Sequence, residues 1–157
     1  MATRSTIAIQ RQDGTVAQVY CHWDGYLENN GDLLIKYYNT AEKINALLAH
    51  GDISSLGEEI GVQHPFSHRE ANMSPGEYED IFGNMTLYYG RDRGESDTNA
   101  REFVDVESYE KTGDSGMFEE FNYLFIGNRW YYKSYDGLVR DVERQLVLIR
   151  LKEKEPA

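Results

Sequence analysis

The chain has 157 residues, 40% of them hydrophobic and 13% aromatic, enough apolar matter for one packed domain over 1–157 and too much for a disordered chain. Its net charge of −11 disfavours direct contact with a nucleic-acid backbone. No apolar run approaches the ~20 residues that cross a bilayer, the first residues lack a secretion signal, and the lone Cys21 excludes an internal disulfide, so the expected setting is the cytoplasm with no membrane partner.

Thr6–Arg11 alternates, with Ile7 and Ile9 on one face and Ala8 on the other. Asp13-Gly14 then sits between two alternating runs, a strong hairpin signal because both turn positions favour positive φ. Thr15–Trp23 is the returning strand. Its aliphatic start gives way to the aromatic-polar end Tyr20, Cys21, His22, Trp23, Asp24 and Tyr26 around Gly25. Asn29 or Asn30 caps a short helix, Gly31–Tyr38, and Asn39-Thr40 caps a second, Ala41–His50, which Gly51 stops.

Asp52–Gly57 reads as a compact turn. An irregular acidic segment, 57–83, has no period and is broken by Pro65, Pro75 and its glycines. Met85–Tyr89 alternates as a third strand and ends in the mixed-charge turn Gly90–Gly94. Asn99–Tyr109 fits a strand or a helix equally, and Lys111–Gly116 is a turn. Phe121–Ile126 and Arg129–Tyr135 form a second hairpin across Gly127-Asn128. Leu138, Val139, Val142, Leu146 and Ile149 predict a final helix, although Leu146–Leu151 alone also fits a strand, followed by a frayed tail at 152–157. The elements add up to an α+β fold: a mainly antiparallel sheet of about five strands, including two hairpins, with two or three packed helices.

Three kinds of chemistry compete for these residues. A metal reading rests on His64 and His68 with Cys21 and His22, but the paired cysteines that make such a pattern specific are missing, and no metal is implied. Cys21 and His22 point to opposite faces of a strand, so they do not form a nucleophile–base pair, and no catalytic residue or cofactor is selected.

A ligand reading places a nucleotide-like molecule between Tyr20, His22, Trp23, Asp24 and Tyr26 and the guanidinium forks of Arg91 and Arg93. A nucleotide-modifying hydrolase would use the same pocket. Both require the Asp24 and Arg91 turns to lie together. The competing readings make Trp23 a buried core edge and let Asp92 and Glu95 neutralise the arginines.

A partner reading starts from where the charge sits. Residues 57–80 carry six acids against one base and 92–120 carry ten against three, so these segments hold −5 and −7 and the remainder is +1. Glu77, Glu79, Asp80, Glu107, Glu110, Glu119 and Glu120, with Tyr132 and Tyr135 of the second hairpin, are the candidate contact residues for a protein partner. An exposed sheet edge also allows a homodimer.

Several stretches share a further property: A-T-R-S-T-I-A at 2–8, D-G-T-V at 13–16, Q-V-Y-C-H-W-D-G-Y at 18–26, D-I-S-S-L-G at 52–57, H-P-F at 64–66, Y-Y-G-R-D-R-G-E at 88–95, and E-F-N-Y-L-F at 120–125 with Trp130. Together they resemble a family of small accessory proteins of unassigned function encoded by tailed bacteriophages and prophages. The resemblance implies a product made inside an infected bacterial cell, of the host-takeover or counter-defence kind. Such a product is expected to bind and inhibit a host or defence protein, including one with a basic nucleic-acid-binding groove.

Overall fold

The computed structural model of the protein describes residues 2–112 and 119–154. The first half runs through strands β1 (Ser5–Gln10) and β2 (Val16–Cys21), a π-helical turn (Leu27–Gly31), helices α1 (Asp32–Tyr37) and α2 (Ala41–Leu48), strand β3 (Ile53–Ser55), helix α3 (Pro75–Phe82) and strand β4 (Leu87–Tyr88). The second half adds β5 (Arg101–Phe103), α4 (Val106–Thr112), the hairpin β6 (Phe121–Ile126) and β7 (Arg129–Lys133), then β8 (Val139–Asp141) and α5 (Val142–Glu153).

One sheet holds these strands in the order β4-β3-β2-β1-β6-β7-β8. The two hairpins lie side by side, joined where β1 runs parallel to β6 with Ile7 opposite Tyr123. β2 takes two partners on its outer edge, β5 along Val16–Gln18 and β3 at Cys21. The hairpin turns sit where positive φ is cheap: Gly14 at 89° in the first, Gly127 and Asn128 at 57° and 63° in the second.

The two sheet faces are used differently. One carries Ile7, Ile9, Val19, Ile53, Tyr123, Phe125 and Trp130 against Leu34 of α1, Ile44 and Leu47 of α2, and Val142 and Leu146 of α5. Each buried aliphatic or aromatic side chain there contributes ~1.5–3 kcal/mol of transfer energy, and this face is the main core. Its polar tips are tied to backbone carbonyls: Trp130 Nε1 donates to Tyr38 O (2.8 Å), Tyr88 Oη to Leu47 O (2.6 Å) and Tyr38 Oη to Gly57 O (2.7 Å). The other face has a smaller cluster, in which Tyr109 of α4 covers Ala8 and Val16 with Phe103, Val106 and Leu124 packed around it.

The α+β expectation holds, and both hairpins are present. The sheet is larger and more mixed than the five mainly antiparallel strands expected: among the described residues it has eight strands, with two of seven neighbouring pairs parallel. Asp52–Gly57 is not a free turn; its centre is β3. The irregular segment 57–83 contains α3, whose capping residue Ser74 accepts from Glu77 N (3.2 Å). Asn99–Tyr109 is both things in turn, β5 then the start of α4, with Asp105 accepting from Ser108 N at the junction.

The first helix is not capped by Asn29 or Asn30; Asn30 is buried and its amide reaches Ser5 Oγ and Cys21 Sγ. Val139 belongs to β8, and Asp141 caps α5 by accepting from Arg144 N (3.0 Å). That helix continues through Glu153, so the start of the expected frayed tail is helical, and residues 155–157 lie outside the described residues. Lys111 and Thr112 close α4; the rest of the turn expected at Lys111–Gly116 also lies outside them.

Candidate functional site

The aromatic-polar end of the second strand is a surface corner. β2 stops at Cys21, so its alternation does not reach Trp23, which is 43% exposed and not the buried core edge expected; Tyr26 is 41% exposed. Tyr20 Oη lies 2.8 Å from His22 Nδ1, and Trp23 meets the imidazole edge-on at 4.8 Å. Burial pushes the Tyr20 hydroxyl up to about 12. Burial, then the nearby Arg4 guanidinium, hold His22 below its ordinary value. The phenol keeps its proton and the lowered pKa favours the neutral imidazole; which of the two donates along this bond depends on the imidazole tautomer.

Asp24 takes φ 55°, and Gly25 is held on both sides: its N–H donates to Thr3 O (2.7 Å) and its carbonyl accepts from Tyr123 Oη (2.7 Å). Behind the corner Cys21 is fully buried, with its thiol raised by burial to about 11, which withholds the thiolate that cysteine chemistry requires.

The Arg91 turn is a fastener. Its guanidinium donates to Asp92 Oδ1 (3.0 Å) and Oδ2 (3.2 Å), Ile60 O (3.0 Å), Gly61 O (3.3 Å) and Thr86 O (2.9 Å), and stacks over the Tyr88 ring at 4.6 Å. Five N–H donors thus meet five acceptors, which commits the whole fork to this chain's own backbone and one carboxylate. Asp92 is fully buried and also accepts from the backbone N–H groups of His64 and Tyr88. Arg93 turns the other way, over the Phe66 ring at 5.0 Å with Glu95 at 3.7 Å. The two arginines expected to share a ligand therefore diverge.

The histidines of the candidate metal motif are similarly engaged. His64 Nδ1 lies 2.7 Å from Val62 O and His68 Nδ1 3.3 Å from Met73 O. Among the described residues no three His, Cys, Asp or Glu side chains gather as a metal site.

The acidic and aromatic candidates separate into two groups. Glu77, Glu79 and Asp80 are exposed on α3, where Glu77 closes the cap with Ser74. Glu107 pairs with Lys111 on α4 at 2.9 Å. Tyr132 is turned into the main core against Phe121 and Tyr123, because alternation along β7 sends it to the side of Trp130; as an exposed contact it is corrected.

Glu110, Glu119 and Tyr135 instead line a cavity of about 850 Å³ on the second sheet face, and Glu120 lies beside the Tyr135 hydroxyl. Leu124 and Ile126 of β6, Tyr131 of β7 and Val139 of β8 supply its apolar surface; Val106 and Tyr109 of α4 form a wall, and Asn122 and Lys133 add polar groups. Tyr135 is 79% exposed and Val139 63% exposed, so the cavity is open on the β8 side.

The sequence reading missed this apolar surface. The signal was present in the alternation Asn122, Leu124, Ile126, which puts two large aliphatics on the face opposite Tyr123 and Phe125. No protein-family model, curated protein or solved structure matches the chain, and the geometry of this cavity is what bears on function.

Proposed function

We propose that the protein is a bacteriophage accessory product, of the host-takeover or counter-defence kind, that binds and inhibits a host or defence protein. The observation that carries the reading is the meeting of acidic side chains from α4 and the approach to β6 with the exposed Tyr135 over one open apolar cavity. Apolar surface open to water beside a charged rim is the usual anatomy of a protein contact, with binding energy at the centre and steering at the edge. The phage setting comes from the motif resemblance. The nucleotide-binding alternative is weakened by Arg91, whose donors are all spent within the fold.

The test is affinity capture by the full chain from lysates of infected and uninfected bacteria, washed at about 50 mM and about 500 mM salt, where screening differs several-fold in range. One specific protein retained at the lower salt and weakened at the higher is the expected result. Capture of nothing specific at the lower salt would defeat the reading.

A further inference from the structure

We infer that residues 62–83, the excursion that carries α3, form a flap that opens as one cooperative unit while the sheet stays folded. The excursion leaves and rejoins the body at a narrow neck. There Glu59 N donates to Asn84 O (3.0 Å) and Thr86 N to Glu59 O (2.8 Å), around a parallel bridge between Glu59 and Met85. Arg91 holds the near side of that neck through Ile60 O and Gly61 O. Gly61 and Gly83 stand at the two ends of the excursion. Gly61 takes φ 67°, and a Cβ there would lie 2.5 Å from Met85 Cγ, so the neck closes only around a glycine.

Beyond the neck the excursion is bonded mainly to itself. Phe66 N donates to Glu70 Oε2 (3.0 Å), Ala71 N to Ser67 O (3.1 Å) and Met73 N to His68 O (2.9 Å), which closes a turn ahead of α3. His64 stacks on Phe82 of α3 at 5.1 Å, and Tyr78 Oη of α3 donates to Pro65 O (2.7 Å), so the two limbs hold each other. Among the described residues, the hydrogen bonds and ring contacts that leave this unit beyond the neck reach one turn, the one after β4. His64 N donates to Asp92 Oδ1 (3.1 Å), the Phe66 ring lies 5.9 Å from that of Tyr89, and the Arg93 guanidinium sits over Phe66 at 5.0 Å. A segment with many internal bonds, a closed neck and one latch meets the conditions for opening as a whole. Glu77, Glu79 and Asp80 ride on it, so opening moves three acids together.

Native-state hydrogen exchange on the full chain, across sub-denaturing urea, tests the inference. The reporters are the amides of Ala71, Met73, Tyr78 and Gly83, compared with those of β1 and β6. Phe66→Ala removes both ring contacts of the latch, and Arg93→Ala removes one of them through an exposed side chain. Ile7→Val weakens the main core without touching the flap.

The expected result is one urea-dependent opening shared by the four reporters, more populated than unfolding of the sheet. Phe66→Ala should speed all four by a common factor of about ten, and Arg93→Ala by a common factor of about three. Ile7→Val should speed the slowest β1 and β6 amides about threefold or more while leaving the four reporters as they are in the parent. The inference is overturned if the reporters exchange only together with β1 and β6 and follow Ile7→Val, because the excursion then unfolds with the body. It is equally overturned if the four differ in urea dependence. The same holds if Phe66→Ala and Arg93→Ala speed Ala71 and Met73 but not Tyr78 and Gly83, because α3 then frays by itself.

Discussion

Replacing Asp92 by alanine tests whether the Arg91 turn fastens the acidic segment to the body of the protein. The Asp92 carboxylate has no solvent exposure and accepts from Arg91 Nε and Nη2 and from the N–H groups of His64 and Tyr88. Removing one member of a buried ion pair costs ~3–5 kcal/mol, because the other charge stays behind. Arg91 keeps three carbonyl acceptors, at Ile60, Gly61 and Thr86, which favours the lower end. The two orphaned N–H groups add ~1–3 kcal/mol each where water does not reach them.

A total of at least about 5 kcal/mol is expected, about 3 from the stranded charge and about 1 from each N–H group, a large part of a typical stability of ~5–15 kcal/mol. At ~2–4 °C per kcal/mol for a chain of this size, the melting temperature should fall by at least about 10–20 °C. Urea unfolding followed by tryptophan fluorescence measures the loss, and hydrogen exchange at the His64 and Tyr88 amides shows whether it is local or global. The Arg91→Ala/Asp92→Ala double variant should cost at least ~1 kcal/mol less than the sum of the singles. A cost under ~1 kcal/mol for Asp92→Ala with both amides still protected, or strict additivity in the double variant, would refute the fastener.

Gly25→Ala should destabilise by ~1–3 kcal/mol in the same urea assay, because a Cβ there would sit 2.7 Å from Thr3 O and from Ser5 Cβ, with backbone on one side and a buried strand residue on the other. Cys21 should resist iodoacetamide at neutral pH and react only as fast as the protein unfolds. Its buried thiol, raised to about 11, keeps a proton that the unfolded chain releases near ~8.5; the associated stability is whole below that pH and is lost as pH rises towards 11, and Cys21→Ala should remove the early part of that alkaline decline. Ser74→Ala should cost α3 ~1 kcal/mol, seen as faster exchange of the Glu77 and Tyr78 amides, with little change in global melting because α3 buries no side chain completely.

What the sequence disclosed was local. Asp13-Gly14 and Gly127-Asn128 marked both hairpins because positive φ restricts which residues can stand there. Thr40 and Gly51 bounded α2 for equally local reasons, a cap accepted from Lys43 N and a left-handed stop. α3 was legible too, since Ser74-Pro75-Gly76-Glu77 is a capping box with proline at the first position, but the surrounding prolines and glycines drew attention away from it.

β3 and β5 were not legible as strands, because three residues cannot show a period; their pairing comes from the long edge of β2. The candidate site divides along the same line. That Glu119 and Tyr135 stand near one strand pair follows from chain proximity, whereas the place of Glu110 beside them depends on α4 crossing the sheet. The fate of Arg91 was invisible for a similar reason, as three of its five acceptors are carbonyls whose position only the folded loop fixes.

The cavity itself follows from how the two hairpins are joined. Parallel pairing of β1 with β6 places both in one sheet, and the main core then covers one face of the pair with α1, α2 and α5. On the opposite face the described part of α4 is seven residues long, and Tyr109 rests on Ala8 and Val16 of the first hairpin. A helix of about 10 Å spans two or three strands at the ~4.8 Å spacing of a sheet, so the described part of α4 does not extend over β7 and β8 as well. Leu124, Ile126, Tyr131 and Val139 are left beside it with an open side. Among the described residues the cavity is therefore the gap between α4 and the β7–β8 edge of the sheet, with Glu110 and Glu119 at its rim and aliphatic side chains along its floor.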